Sequence, residues 1–133
     1  MNERIAVGVI WHGGELVFQE REEIREGETV KMYALPGGKI EDGEKPTDGL
    51  IRELKQEIGI EFKPADFGSL RIIRLAELVG YFRETLVPYG TRFLPEQGEK
   101  NQVIVTWSNQ EIQQALEDDK ILPLSAEYIG RHL

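Results

Sequence analysis

The segment RELKQEIGI, Arg52 to Ile60, carries acids at helical spacing. Glu53 and Glu57 stand four residues apart, one turn above each other on a helix, and Gln56 shares their face. Two like charges so placed destabilise an isolated helix by a few tenths of a kcal/mol, about what solvation alone tolerates. A hard cation reverses that sign. Mg2+ takes a few protein oxygens and completes its shell with water and phosphate, so a carboxylate edge with phosphate nearby is a suitable seat. Glutamine at 56 keeps an oxygen donor at the same reach but not its charge, which weakens such a seat without abolishing it. Just upstream, Gly37 and Gly38 let the backbone turn tightly and come close to a ligand. Taken alone, Glu53 and Glu57 read as an acidic solvated face; a metal site with one ligand altered is the alternative that their spacing raises.

The whole chain narrows the chemistry. Its 133 residues, 40% hydrophobic and 30% charged, are those of an ordinary globular protein with a real core. A formal net charge of −8 argues against long nucleic acid as a partner, because phosphate neutralisation requires a basic surface. A small phosphorylated ligand stays open, since a bound divalent ion inverts the local field. The absence of cysteine excludes a disulfide framework, a thiolate nucleophile and Cys-ligated zinc. The first residues lack the basic and apolar regions of a signal peptide, and no apolar run approaches the roughly 20 residues needed to cross a bilayer. The expectation is a cytoplasmic protein without a membrane partner.

The elements that must position these residues follow from pattern. Arg4–Trp11 and Glu15–Glu20 form a hairpin about the turn residues His12–Gly14. The charged, aperiodic stretch Arg21–Val30 reads as an exposed loop, from which Arg21 and Arg25 could reach a phosphate. Lys31–Leu35 is a short strand ending at Pro36. A helix runs from about Pro46 to Ile58, with proline in its first turn, Gly59 past its end, and Lys45 where a capping side chain is favoured. Gly49 inside it costs about 1 kcal/mol against alanine, which close packing on a sheet would explain. Phe67 to Phe93 holds two or three strands, with IIRLAELVGYF ambiguous between strand and helix. Asn101–Trp107 is a strand, Ser108–Glu111 a capping box opening a helix to about Asp118, and the last residues a second helix capped by Ser125. Strands on both sides of a central helix imply a mixed α/β domain, a sheet sandwiched between helices.

Read as one unit, GGKIEDGEKPTDGLIRELKQEIGI, Gly37 to Ile60, resembles the signature of the Nudix hydrolases, G-x5-E-x7-R-E-U-x-E-E-x-G-U with U a bulky aliphatic residue. Gly38, Glu44, Arg52, Glu53, Leu54, Glu57, Gly59 and Ile60 are in register; Gln56 stands where the signature has the first acid of a pair. The resemblance implies an α/β fold of the α+β type, a Nudix-like mixed β-sheet sandwiched between α-helices, in one domain spanning 1–133. It implies a Mg2+-dependent pyrophosphohydrolase, with Mn2+ as the alternative ion, acting on a nucleoside diphosphate linked to another moiety. By the same resemblance Glu53, Glu57, Gln56 and the Gly37 carbonyl face the metal, and Glu53 acts as base in some members. Arg52 pairs with Glu44 to pin the loop to the helix. Arg21, Tyr33, Gly37 and Gly38 are candidates for substrate contact, although an aromatic such as Tyr33 is more often a core or sheet residue than a base-stacking platform. Glu96 and Glu99 are further candidates for a base. The expected partner is a small phosphorylated, nucleotide-like substrate, and the expected state a monomer or homodimer. The alternative, carried by Gln56, is a Nudix-fold module that binds a nucleotide or metabolite and hydrolyses it poorly or not at all.

Overall fold

Strand β1 (Glu3–His12) buries both faces: Ala6 and Ile10 point to one side, Val7 and Val9 to the other. A strand of this kind needs a layer above and below it. In the computed structural model, which describes residues 2–94 and 103–133, helices supply those layers. The remaining elements are β2 (Glu15–Arg25), β3 (Glu28–Ala34), β4 (Gly37–Lys39), α1 (Pro46–Ile58), a 3-10 turn at Pro64–Asp66, β5 (Leu70–Leu75), β6 (Leu78–Val87), β7 (Val103–Trp107), α2 (Asn109–Glu117) and α3 (Pro123–His132). Glu96 and Glu99 lie outside the described residues.

The mixed sheet runs β3-β2-β1-β6-β5, with β4 added to β1 and β7 to β2. β1 and β6 are parallel from Glu3↔Leu78 to His12↔Val87. β1 and β2 pair only beside their turn, at Trp11↔Leu16 and His12↔Glu15. Beyond it they splay: β1 takes β4, with Val7 opposite Gly37, while β2 takes β3 from Gln19↔Ala34 onward. This divergence opens a crevice beside Gly37. On one face Ala6, Ile10 and Val17 pack against Leu50, Leu54 and Ile58 of α1. On the other, Val7, Val9, Leu16 and Phe18 pack against α2 and α3 through Ile112, Ala115, Leu124, Tyr128 and Ile129. Three buried aliphatic side chains at roughly 1.5–3 kcal/mol each dock α1 firmly, outweighing one helical glycine and a pair of stacked acids.

Three expectations are corrected. Arg21–Val30 is not a loop: it is a hairpin, paired in register from Arg21↔Met32 to Arg25↔Glu28. Glu26 and Gly27 at φ 52° and 79° make the two-residue turn. Its outer end is mostly solvated, so the period-two contrast that reveals a strand is missing there. Ser125 does not cap α3; it lies buried within that helix, and its Oγ accepts the Leu35 N–H at 3.0 Å. The third, the reason for Gly49, belongs to the site. IIRLAELVGYF resolves as the β5–β6 hairpin, with Leu75 opposite Leu78 and Ala76 in the left-handed region. The capping box at Ser108 and Glu111 forms in both directions, at 3.3 and 3.1 Å. Lys45 gives α1 no side-chain cap, and Gly59, at φ 73°, closes it.

Candidate functional site

The rotation that buries Leu50, Leu54 and Ile58 leaves Glu53, Gln56 and Glu57 along the flank of α1 that overlies β4. Each glycine of β4 has its own reason. At Gly37 (φ 155°) a Cβ would lie 2.0 Å from the Ala6 carbonyl oxygen, so the residue is pressed on β1. At Gly38 a Cβ would lie 2.5 Å from the Glu53 carboxyl carbon, so this residue makes room for the acid itself. Glu57 is only 5% exposed, and its Oε2 has no hydrogen-bond partner among the described residues. Glu53, four residues earlier, lies on the same flank and acts on its carboxyl. Burial pushes Glu57 up to about 8; the Arg21 charge opposes this, Glu53 reinforces it, and the Gly37 backbone opposes it again. Arg21, a strand residue rather than a loop one, donates from its guanidinium to the Gly37 carbonyl at 3.4 Å.

Arg52 ties this edge to the preceding loop. Its Nε and Nη2 grip the Glu44 carboxylate at 2.9 Å each, Nη1 donates to Glu53 Oε1 at 2.7 Å, and Nη2 also reaches the Lys39 carbonyl at 3.0 Å. The bidentate fork fixes orientation as well as charge. A Cβ on Gly49 would come within 2.8 Å of Glu44 Oε1 and 3.4 Å of Ile40, so this glycine clears space chiefly for the ion pair, not for the sheet. The hydrogen bonds from Arg52, joined by the Glu41 backbone, hold Glu44 down to about 2. A depressed carboxylate contributes stability above its unfolded value near 4.5 and loses it as the pH falls toward about 2. The urea midpoint of the wild type should therefore fall more steeply over that window than that of Glu44→Gln. Parallel curves would show that the pair contributes nothing to acid stability.

Tyr33 stands apart from this cleft. Its ring packs 4.6 Å from Trp107, its O–H donates to Glu20 Oε2 at 3.2 Å, and its backbone bridges to Ile121. It pairs with Glu20, and alternation sends it to the opposite side of the β2–β3 ribbon from Arg21 and Met32. What pattern reading missed is the crevice left by the splayed strands, a cavity of about 300 Å3. Ile5, Val7, Leu35 and Leu124 form its apolar walls, with Arg21 and Gly37 also lining it. Ile5 of β1 and Leu124 of α3 meet only through the packing of that helix on the sheet, and no local signal could have found them.

The donors available to a cation are all oxygens: the two carboxylates and the Gly37 carbonyl, with Gln56 half-buried on the same flank. The orphaned oxygen of Glu57 is the observation that fits an ion. No group of three or more His, Cys, Asp or Glu residues among the described residues is gathered tightly enough for an all-protein cage. These oxygen donors suit a hard divalent ion that keeps several of its waters.

A family model, the NUDIX domain, matches residues 2–125. The 8-oxo-dGTP diphosphatase of Escherichia coli (strain K12) is 39% identical over 57 residues, 43% of this chain and 43% of that protein. The 8-oxo-dGTP diphosphatase of Proteus vulgaris is 40% identical over 57 residues, 43% of this chain and 50% of its own. The matches thus span half the length of these curated relatives or less. Among solved structures, a NUDIX hydrolase from Nitrosomonas europaea superposes with a TM-score of 0.67 at 20% identity, covering 98% of this chain and 87% of that one. A bifunctional NMN adenylyltransferase/ADP ribose pyrophosphatase from Francisella tularensis gives 0.75 at 14% identity, over 98% of this chain and 40% of that one. At these identities the structural likeness is one of fold.

Proposed function

We propose that this chain, which belongs to the Nudix family, is a Mg2+-dependent pyrophosphohydrolase, with Mn2+ as an alternative ion, that cleaves a nucleoside diphosphate linked to another moiety. The observation that carries the reading is the buried Glu57 carboxyl, with one oxygen unpartnered among the described residues, on the flank of α1 that overlies the strand of Gly37, which itself lines an apolar crevice. A bound divalent ion supplies charge neutralisation at the attacked phosphate and a more acidic water. The chain's own residues do the rest. Arg52, locked by Glu44, orients the Glu53 carboxylate. Arg21 leaves the Gly37 carbonyl for a substrate phosphate, where a charge-assisted pair is stronger than its 3.4 Å hydrogen bond. The crevice walls take the apolar faces of the nucleoside. Glu57, whose burial favours its neutral form, would have to ionise to hold the ion. Water adds its oxygen to phosphorus, the diphosphate P–O bond breaks, and a monophosphate leaves with a phosphorylated remainder.

The relatives' names make 8-oxo-dGTP and ADP-ribose the first substrates to try. The test is a hydrolysis screen with Mg2+ and Mn2+ over nucleoside triphosphates, 8-oxo-dGTP, nucleotide sugars, dinucleoside polyphosphates and ADP-ribose. Turnover of at least one, abolished by chelation, is the expected result. Gln56 favours a second reading, a nucleotide-binding module with little or no turnover. Saturable binding of these compounds without hydrolysis of any would establish that reading and sink the first.

A further inference from the structure

We propose that Gln19 is a positioning residue for Glu57, its buried carboxamide holding the free carboxylate oxygen, directly or through one buried water, when the acidic edge carries its ion. The inference rests on the metal edge argued above. Gln19 is 1% exposed, and neither its Nε2 nor its Oε1 has a partner among the described residues. A carboxamide buried with nothing to bond destabilises a fold, and such an orphan calls for a water, an ion or a neighbour with which it pairs in another state.

Strand alternation says which neighbour. Val17, Gln19 and Arg21 project from the same side of β2. Val17 packs with Leu54 and Ile58 of α1, and Arg21 reaches Gly37 and acts on Glu57. Gln19 therefore lies between the helix-facing core and the acidic edge. Its cross-strand partner on β7, Ile104, packs on that same core, and its partner on β3, Ala34, is buried. Among the described residues, the other unpartnered buried polar atoms are Glu57 Oε2, on the helix that Val17 packs against, His12 Nε2 at the far end of β1, and Arg83 Nε on β6. A carboxamide supplies both a donor, which suits a carboxylate, and an acceptor, which suits a bridging water. Groups that orient a ligating carboxylate from behind typically govern metal affinity by tenfold or more.

Two measurements test this. In Gln19→Met, of similar length but without the N–H donors, Mn2+ affinity followed by electron paramagnetic resonance should weaken about tenfold, while the ion-free thermal midpoint stays equal or rises. A purely structural Gln19 gives the opposite pattern, a shifted midpoint with unchanged Mn2+ affinity, and that outcome overturns the proposal. In the wild type, which needs no variant to fold, the Gln19 side-chain NH2 resonances should shift on Mg2+ saturation. Their standing still while resonances of Glu53 and Gly37 move would also overturn it, with the metal edge left intact. A wild type that binds neither ion removes the metal edge, and this inference with it.

Discussion

Glu57→Gln should fold normally and lose hydrolysis by about 100-fold or more, the scale expected when a ligand of a catalytic ion forfeits its charge. The same substitution should raise the stability of the ion-free protein at neutral pH. Glu57 is buried with one oxygen unpaired, and burial pushes it up to about 8. The sign follows from proton linkage. Between the ordinary carboxylate value near 4.5 and about 8, the folded chain holds a proton that the unfolded chain has released, so stability falls as pH rises through that window. Glutamine, neutral throughout, removes this slope. Denaturant midpoints from pH 5 to 8, without and with Mg2+, check it: the wild type should decline without the ion and recover with it, and the variant should do neither. A variant that declines as the wild type does would place the titrating group elsewhere.

Gly38→Ala carries the second large effect, and it separates the site from the fold. The added methyl would stand 2.5 Å from the Glu53 carboxyl carbon, so the side chain must rotate off β4 and away from the 2.7 Å bond that Arg52 makes to it. Gly38 lacks the positive φ of its neighbour, so alanine meets no backbone strain there. The expected outcome is a small change in unfolding midpoint with at least a tenfold loss of Mg2+ affinity, about 1.4 kcal/mol. Gly37→Ala behaves differently, because its Cβ would collide with backbone, the Ala6 carbonyl at 2.0 Å, and unseat β4 from β1. Calorimetric Mg2+ titration beside thermal melts distinguishes the two. Unchanged ion affinity in a folded Gly38→Ala would contradict the placement of Glu53.

The helix that carries the acids was legible to the residue, because a proline in its first turn and a glycine past its end are local signals that agree. Glu44, Arg52 and Glu53 were legible as a group through the resemblance to the Nudix signature, in which all three stand in register. Arg21 was misread because charge outweighed pairing in a strand whose outer end has little apolar contrast. The crevice walls were not legible at all, since Ile5, Leu35 and Leu124 come together only where β1 and β2 part. Gly49 was given a sheet to pack on, whereas it accommodates a carboxylate eight residues ahead of its arginine partner. Local rules recover elements; which polar group fills a gap is decided by the tertiary fold.

The claim that this helix is a cation edge with one ligand altered is tested most directly at Gln56. A carboxylate restored there adds a charge a few ångströms from the ion, worth on the order of 1–4 kcal/mol at effective dielectric constants of 80 to 20 before desolvation. The measurement is a Mg2+ titration of hydrolysis, or of ion binding where no substrate turns over, in the wild type, Gln56→Glu and Glu57→Gln. The account predicts a half-saturating Mg2+ concentration about tenfold lower in Gln56→Glu and far higher, or never reached, in Glu57→Gln. Three superimposed curves would contradict it and leave Glu53, Gln56 and Glu57 an acidic face that binds no ion.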